Sequence, residues 1–390
     1  MDLKEILTTH REYLHQIPEL GFCEFKTSAY LKEQLELLGY EIESTAKTGL
    51  LAYRKGESDE CIAFRSDMDG LSLAEETGVA FTSKHQGKMH GCGHDGHMAI
   101  LLGFATHLSK IEPLKKSVLF ILQPAEEGPG GAEVIVKEGV LKKYKVKFIF
   151  GLHLYPEIEE GKFGLRSGVM TAQTGEVDIV IQGQGGHGAI PHKANDALII
   201  MAQLINSYQS IVSRNLNPID GGVLTIGTIH GGERRNIIAE KVELTGTIRA
   251  FSEEVYETIK RRIVEINTGL ETMFNAKVKT QFIDMYPCIV NDKSLFELVC
   301  HSTLGEKMIE IDPMMIAEDF SYYQKEVPGL FFMLGSRNDA LGFTNPLHHS
   351  KFNFSDNVLL NGVELYDEMC RLLNVCLLYT SPSPRDPKTS

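Results

Sequence analysis

The chain has no long hydrophobic run, no excess of positive charge and few cysteines. No stretch approaches the roughly 20 apolar residues of a membrane span, so we expect no membrane segment. The net charge of -13 disfavours nucleic acid as the main partner. Seven scattered cysteines, an odd number, disfavour a disulfide framework. Because the first residues also lack the apolar core of a signal peptide, we expect a cytoplasmic protein.

The pattern of apolar residues predicts two domains and a tail. In residues 1–174 and 285–375, unbroken apolar strands alternate with helices, which is typical of an α/β domain with a mixed, mostly parallel sheet. Residues 175–284 follow the order β-α-β-β-α-β, which indicates a ferredoxin-like α+β domain inserted into the first one. Residues 376–390 continue neither pattern, and we expect a non-native or disordered tail there.

The densest group of candidate ligands is the segment from His90 to His97. An apolar run at helical spacing follows it, so its small residues predict a turn that opens a helix. His94 and His97 are three residues apart and therefore share one face of the first turn. Together with Cys92, they supply the thiolate and imidazole groups that suit Zn²⁺ and similar transition metals. A polar turn that only caps the helix is the alternative.

Carboxylates and a histidine follow the ends of separate predicted strands. Asp67 and Asp69 follow one strand, Glu126 and Glu127 the next, and His153 a third. In parallel sheets such ends meet at one edge, where binding sites form. One glutamate can then bind a metal ion while its neighbour acts as a general base. Each feature alone has a plainer explanation, since a glutamate pair is often a solvated loop and a lone histidine is often a core residue.

Two further segments carry histidines. The glycine-rich stretch of residues 183–192 contains His187 and lacks the G-x-G-x-x-G spacing of a dinucleotide site. Its histidines could contact an oxyanion, and a flexible hairpin loop is an equal alternative. His348 and His349 follow a buried strand near the end of the chain, and alone they would be surface residues.

Taken together, these motifs resemble the M20 metallopeptidase family, in the amidohydrolase branch that includes hippurate hydrolases and auxin-conjugate hydrolases. The likeness runs from about residue 5 to 374. The motifs that carry it are Leu14-His15-Gln16-Ile17-Pro18-Glu19, Arg65-Ser66-Asp67-Met68-Asp69-Gly70-Leu71, the segment from His90 to His97, Gln123-Pro124-Ala125-Glu126-Glu127, Gly185-Gly186-His187 and Leu347-His348.

The resemblance implies a site with two divalent metal ions, which would be zinc, manganese, cobalt or nickel. The implied ligands are Cys92, His94, Glu127, His153 and His348. Because His349 is adjacent, the choice of the last ligand stays open. Glu126 would be the general base and later the acid, and Asp69 would orient a metal ligand. His187 would polarise the scissile carbonyl. Asn236 and Arg249 fall where the family has polar residues that contact substrate or support the site.

The resemblance also implies the reaction and the assembly. The substrate would be a small N-acyl amino acid, and the inserted domain would form a homodimer, or a higher oligomer, in which His187 reaches the partner's site. Within the branch, the likeness implies removal of acetate from N-acetyl-L,L-diaminopimelate in lysine biosynthesis. A broader N-acyl-amino-acid or hippurate-type amidohydrolase is one alternative. A non-catalytic dimeric binding protein on the same scaffold is another, although the intact Cys92, Glu126 and Glu127 argue against it.

Overall fold

The computed structural model describes residues 2–376, which form two compact units. The larger unit contains the described residues up to Gly168, then Asn291–Ile311, and those from Tyr322 onward. The smaller unit contains Val169–Val290 and Asp312–Ser321. Among the described residues, no helix combines the length and the apolar character that crossing a bilayer would require.

Helices and strands alternate along most of the chain. The helices are α1 (Leu3–His15), α2 (Phe25–Leu37), α3 (His94–Leu108), α4 (Ala132–Lys137), α5 (Val140–Lys143), α6 (Ala197–Ser210), α7 (Glu253–Phe274), α8 (Lys293–Cys300), α9 (Ser321–Gln324) and α10 (Asn357–Leu372). The strands are β1 (Glu41–Thr45), β2 (Gly49–Arg54), β3 (Ser58–Asp67), β4 (Lys116–Gln123), β5 (Val146–Glu159), β6 (Phe163–Leu165), β7 (Gly168–Val169), β8 (Gln173–Gln182), β9 (Gly186–His187), β10 (Gly222–Gly231), β11 (Ile237–Ile238), β12 (Lys241–Ala250), β13 (Lys277–Asp284), β14 (Val290–Asn291), β15 (Met308–Glu310) and β16 (Gly329–Arg337).

The larger unit is built on one eight-stranded sheet with the order β1-β2-β4-β3-β5-β16-β6-β15. Its central strands β4, β3, β5 and β16 are parallel to one another. Strands β1 and β2 extend one edge in antiparallel pairing, and β6 pairs antiparallel with β16. The predicted α/β class with a mixed, mostly parallel sheet is confirmed.

Aromatic packing fixes the central strands of this sheet against helix α3. The rings of Phe64 on β3 and Phe104 on α3 lie 5.0 Å apart between centroids, and Phe120 and Tyr366 pack against the same pair. All four side chains are fully or almost fully buried. Burial of each large apolar side chain contributes about 1.5–3 kcal/mol. The strand ends that carry the candidate site therefore project from a rigid core.

The smaller unit has its own sheet and its own core. Its four strands are antiparallel with the order β10-β12-β8-β13, and the chain visits them as β8-α6-β10-β12-α7-β13. Val177, Ile179 and Ile181 on β8 are buried at alternate positions and share a core with residues of α6 and α7. This is the β-α-β-β-α-β order of a ferredoxin-like motif. The role of residues 175–284 in dimerisation stays a prediction.

The end of the described chain belongs to the larger unit. Helix α10 ends at Leu372, and Cys376 is buried and forms an antiparallel bridge with Leu114. The predicted tail began at residue 376, so its first residue lies within the fold. The rest of that tail, residues 377–390, lies outside the described residues.

Candidate metal centre

Chemical groups from three strands and one helix meet at one edge of the large sheet. The parallel register pairs Arg65 of β3 with Ile121 of β4 and with Gly151 of β5, so β3 and β4 end side by side next to the middle of β5, which continues to Glu159. His94 begins helix α3, and His153 lies on β5 two residues beyond Gly151. The polar residues that follow β3 and β4 therefore lie close to His153 in the larger unit. His153 was predicted to follow a strand end, but it lies within β5, because this strand is longer than its apolar run.

A glycine turn presents Cys92 and His94 to this edge. Gly93 precedes helix α3 with φ +86°, in the left-handed region that favours glycine. A Cβ built on Gly93 would lie 2.8 Å from Leu154 Cδ1. Only a residue without a side chain satisfies both the dihedral angle and the close approach of β5.

The thiol of Cys92 lies at the centre of two overlapping groups of possible metal ligands. Its Sγ is 3.4 Å from His153 Nε2 and 3.2 Å from His348 Nε2. His348 Nε2 is in turn 3.0 Å from Glu127 Oε1. Cys92, His94 and His153 form one group, and Cys92, Glu127 and His348 form the other, with the ligand atoms of each group within 4.8 Å of one another. The arrangement suits soft or borderline transition metals.

Backbone carbonyls fix which ring nitrogen of two histidines faces the cluster. His94 Nδ1 lies 2.9 Å from the carbonyl oxygen of Asp69, and His153 Nδ1 lies 2.7 Å from that of Leu154. Because a carbonyl oxygen only accepts, each Nδ1 carries the hydrogen in the neutral ring and leaves the Nε2 lone pair facing inward. His94 Nε2 is buried and has no hydrogen-bond partner among the described residues. A buried, unsatisfied acceptor of this kind fits a metal ion.

The carboxylate of Asp69 holds the backbone of the glutamate pair. Its two oxygens accept the N–H groups of Glu126 and Glu127, each at 3.1 Å. Ala125, just before them, has φ +56°, a left-handed conformation that is strained for alanine. Glu126 is buried, and its Oε2 lies 3.9 Å from His94 Nε2. Asp69 thus fixes the backbone positions of both glutamates. Its Oδ1 also lies 3.4 Å from His94 Nδ1.

The carboxylates of the cluster shift the pKa values of His94 and Cys92. Burial would lower the pKa of His94, but the carboxylates of Asp67 and Asp69 raise it to about 10. Burial and the charges of Glu127 and Glu126 hold the pKa of the Cys92 thiol well above its usual range. The acidic surroundings of His94 thus favour a cation at its inward-facing Nε2, either a proton or a metal ion. A divalent cation would replace that proton and favour the thiolate.

Exposure increases from one end of the cluster to the other. His94 and Asp67 are completely buried, whereas the side chains of Glu127 and His348 are 17% and 54% exposed. Burial opposes ionisation of Glu127, yet the neighbouring His348 and His94 lower its pKa to about 2. The cluster is therefore accessible from the side of His348 and Glu127.

Three predicted site residues lie in the smaller unit. His187 on β9 pairs with Ile237 on β11, and the N–H of Gly188 donates to the carbonyl of Asn236 at 2.9 Å. His187 and Asn236 line one open cavity of about 660 Å³. Arg249 lies on β12, eight residues from Lys241 at the cavity, or roughly 26 Å along an extended strand. The structure brings His187 and Asn236 together and leaves Arg249 apart from them.

The sequence is similar to a known family and to known proteins over most of its length. Residues 63–372 match peptidase family M20/M25/M40. The chain belongs to this family. N-acetyldiaminopimelate deacetylase of Bacillus subtilis (strain 168) is 42% identical over 373 residues, which is 94% of this chain and 97% of that protein. The enzyme of the same name from Listeria monocytogenes serotype 4b (strain CLIP80459) is 39% identical over 375 residues, covering 93% and 99%.

A solved structure of the M20 family has the same fold. The YXEP protein of Bacillus subtilis, described as a dinuclear metal-binding peptidase of this family, superposes with a TM-score of 0.84 at 29% identity. The match covers 96% of this chain and 99% of that one. The family resemblance inferred from the motifs is therefore confirmed.

A buried polar network lies behind the ligand cluster of this M20 chain. The sequence placed His97 among the possible metal ligands and gave Arg65 no role, but both belong to this network. The ring of His97 contacts Asp67 and the backbone of Leu154, and Arg65 donates to Asp67 at 2.8 Å. The sequence feature that could have identified these residues is their position in the motifs Arg65-Ser66-Asp67 and His94-x-x-His97. The structure also separates the adjacent C-terminal histidines. His348 faces Cys92, whereas exposed His349 accepts the N–H of Lys351 at 3.1 Å.

Proposed function

We propose that this M20 hydrolase removes acetate from N-acetyl-L,L-diaminopimelate with the help of bound divalent metal ions. Bacillus and Listeria relatives named N-acetyldiaminopimelate deacetylase, about 40% identical over most of the chain, support that choice of substrate. The observation that carries the chemistry is the thiol of Cys92, which two candidate ligand groups share. Cys92 would therefore be within reach of either of two neighbouring ions.

The proposed metal ligands are Cys92, His94, Glu127, His153 and His348. The description of the YXEP protein as dinuclear supports two ions per chain, which we expect to be zinc, manganese, cobalt or nickel. The unsatisfied Nε2 of His94 and the inward-facing Nε2 of His153 support their assignment. When bound, the ions supply Lewis acidity for the acetyl carbonyl and make water at the site more acidic.

Glu126 is the proposed general base. It accepts a proton from the water whose oxygen forms a bond to the acetyl carbon, and it later gives that proton to the leaving nitrogen as the C–N bond breaks. The products are acetate and the free amine of diaminopimelate. Glu126 is buried near His94, and Asp69 holds its backbone, so its carboxylate needs little reorganisation during the reaction.

His187, Asn236 and Arg249 have proposed roles outside this cluster. We propose that His187 stabilises the oxyanion and that Asn236 contacts substrate, since the two lie together at the cavity of the smaller unit. The role of Arg249 in the substrate site stays a prediction. We also propose that the protein acts as a homodimer.

A substrate panel on metal-reconstituted protein tests the proposal. The metal-free protein is loaded in turn with each of the four metals, and kcat/KM is measured for N-acetyl-L,L-diaminopimelate and for benzoyl-glycine. We expect a preference of tenfold or more for the acetylated diaminopimelate. A preference for benzoyl-glycine would favour the broader amidohydrolase. Tight binding of either compound without cleavage by any metal-loaded form would favour a binding protein.

A further inference from the structure

The buried ring of His97 bridges a charged pair and a backbone amide. Its Nδ1 lies 2.7 Å from Asp67 Oδ1, and its Nε2 lies 2.9 Å from the N–H of Leu154. Because a backbone N–H only donates, Nε2 must be the accepting nitrogen and Nδ1 the donor. With both nitrogens engaged, the ring of His97 serves the protein's own architecture, although it lies beside the ring of His94 with centroids 5.4 Å apart.

The amide of Leu154 needs this partner because the neighbouring strand ends before it. Pairing between β3 and β5 stops at Arg65 and Gly151, three residues before Leu154. Leu154 is fully buried, and a buried backbone N–H without an acceptor costs about as much as a lost hydrogen bond. His97 therefore supplies, from helix α3, the acceptor that β3 no longer offers.

The same residue, Leu154, orients His153. Its carbonyl accepts the hydrogen on His153 Nδ1 at 2.7 Å, and this bond directs His153 Nε2 toward Cys92 Sγ, 3.4 Å away. Any displacement of the Leu154 backbone would therefore rotate or shift the ring of His153. His97 thus acts on His153 through Leu154, which hydrogen-bonds to both rings, and through the edge contact of the two rings, whose centroids are 4.7 Å apart.

The other end of the bridge is anchored by a buried ion pair. Arg65 donates to Asp67 Oδ2 at 2.8 Å and, through Nε, to Gln123 Oε1, also at 2.8 Å. Tyr323 donates its hydroxyl to the same oxygen of Gln123 at 3.0 Å. All four side chains are buried, so these contacts fix the planar guanidinium and hold Asp67 in one position.

We propose that His97 is a positioning residue that transmits the fixed geometry of the Arg65–Asp67 pair through Leu154 to His153 and thereby sets the metal affinity of the centre. The inference rests on the proposed function, because it needs His153 to be a ligand. Outer partners of metal-binding histidines typically change metal affinity by about 10–100-fold when they are removed. Of the two hydrogen bonds of the His97 ring, the one from Leu154 leads to His153, whereas the one to Asp67 leads to Arg65.

Two substitutions separate the two contacts of the ring. His97→Gln places an amide oxygen near the position of Nε2 and can still accept from Leu154. His97→Asn places an amide near Nδ1, so it can still donate to Asp67 but leaves the N–H of Leu154 without its acceptor. We expect His97→Asn to weaken zinc binding by about 10–100-fold and His97→Gln to weaken it by less. The dissociation constant is measured by competition with a chromophoric chelator, and the absorption spectrum of the Co²⁺ form reports the ligand geometry.

A buried histidine elsewhere in the larger unit provides the matched control. His10 on α1 is almost fully buried, and its Nδ1 lies 2.7 Å from the hydroxyl of Tyr30. His10→Gln should lower the melting temperature of the metal-free protein and leave the zinc affinity and the Co²⁺ spectrum unchanged. A general loss of packing would instead affect zinc binding in both proteins in proportion to the loss of stability.

The outcomes distinguish this inference from the proposed function. Wild-type zinc affinity and an unchanged Co²⁺ spectrum in His97→Asn would overturn the positioning role, as would weaker binding by His97→Gln than by His97→Asn. If the wild-type protein binds none of zinc, manganese, cobalt and nickel, the proposed metal centre itself fails; if it binds another of these but no zinc, the variants are compared with that metal. If His97→Asn does not fold, ¹⁵N NMR of the metal-free wild-type protein tests the bridge instead, because it reports the tautomer of each histidine ring. The Nδ1–H tautomer at His97 and His153 supports the bridge, and an Nε2–H tautomer at His97 overturns it.

Discussion

Replacing Gly93 by alanine tests how closely helix α3 must approach strand β5. The residue has φ +86°, and a left-handed conformation costs an L-residue about 1–2 kcal/mol. The new Cβ would also lie 2.8 Å from Leu154 Cδ1 and 3.3 Å from Leu154 Cβ, and overpacking of this kind typically costs about 1–3 kcal/mol. We therefore expect Gly93→Ala to lower the free energy of unfolding by about 2–5 kcal/mol.

Gly39→Ala is the matched control, since Gly39 has φ +83° and no atom within 4 Å of its would-be Cβ. It carries the dihedral cost alone, so the difference between the two variants isolates the steric term. At roughly 2–4 °C per kcal/mol, Gly93→Ala should melt about 2–12 °C below Gly39→Ala. Thermal unfolding of the metal-free proteins, followed by circular dichroism, measures that difference. Equal melting temperatures would refute the steric argument.

Two further predictions concern the proposed chemistry, and a third concerns the pH dependence of stability. Glu126→Gln should keep the metal and lower kcat by about 10⁴-fold or more, whereas Glu127→Gln should lose metal affinity and recover partly with added metal; the reverse pattern would exchange the two roles. His187→Ala should lower kcat by about 10²–10³-fold at unchanged metal content, and an unchanged kcat would exclude an oxyanion role. Burial lowers the pKa of His15, but Asp95 and Glu75 raise it from 6.5 to about 9. Its contribution to the stability of the metal-free protein should be complete below pH 6.5 and lost as the pH rises through about 9, and His15→Gln should abolish this slope in denaturant titrations.

Local patterns predicted the features that depend on neighbouring residues. The glycines before His94 and the apolar spacing after it predicted that a helix begins there, and helix α3 begins at His94. Unbroken apolar runs predicted buried parallel strands, and β3, β4 and β5 pair in parallel. These signals are local because turn conformation and burial of a strand act over a few residues.

The contacts that the sequence could not predict join distant parts of the chain. His97 shares a helix face with His94, yet both of its ring nitrogens are taken by groups on strands, Asp67 and Leu154. Leu154 is 57 positions away, and its amide is free to donate to His97 because β3 stops pairing with β5 before this position. The choice between His348 and His349 likewise depends on the backbone, since His348 has φ +61° and only its ring faces Cys92.

The most direct test of the central claim is a metal titration of the metal-free protein with simultaneous measurement of acetate release from N-acetyl-L,L-diaminopimelate. The account predicts that the wild-type protein binds two divalent ions per chain and that hydrolysis returns as they bind. Cys92→Ala, which removes the thiol shared by both ligand groups, should bind fewer ions and recover little activity. Full hydrolysis by exhaustively metal-free protein, or wild-type stoichiometry and activity in Cys92→Ala, would contradict the account.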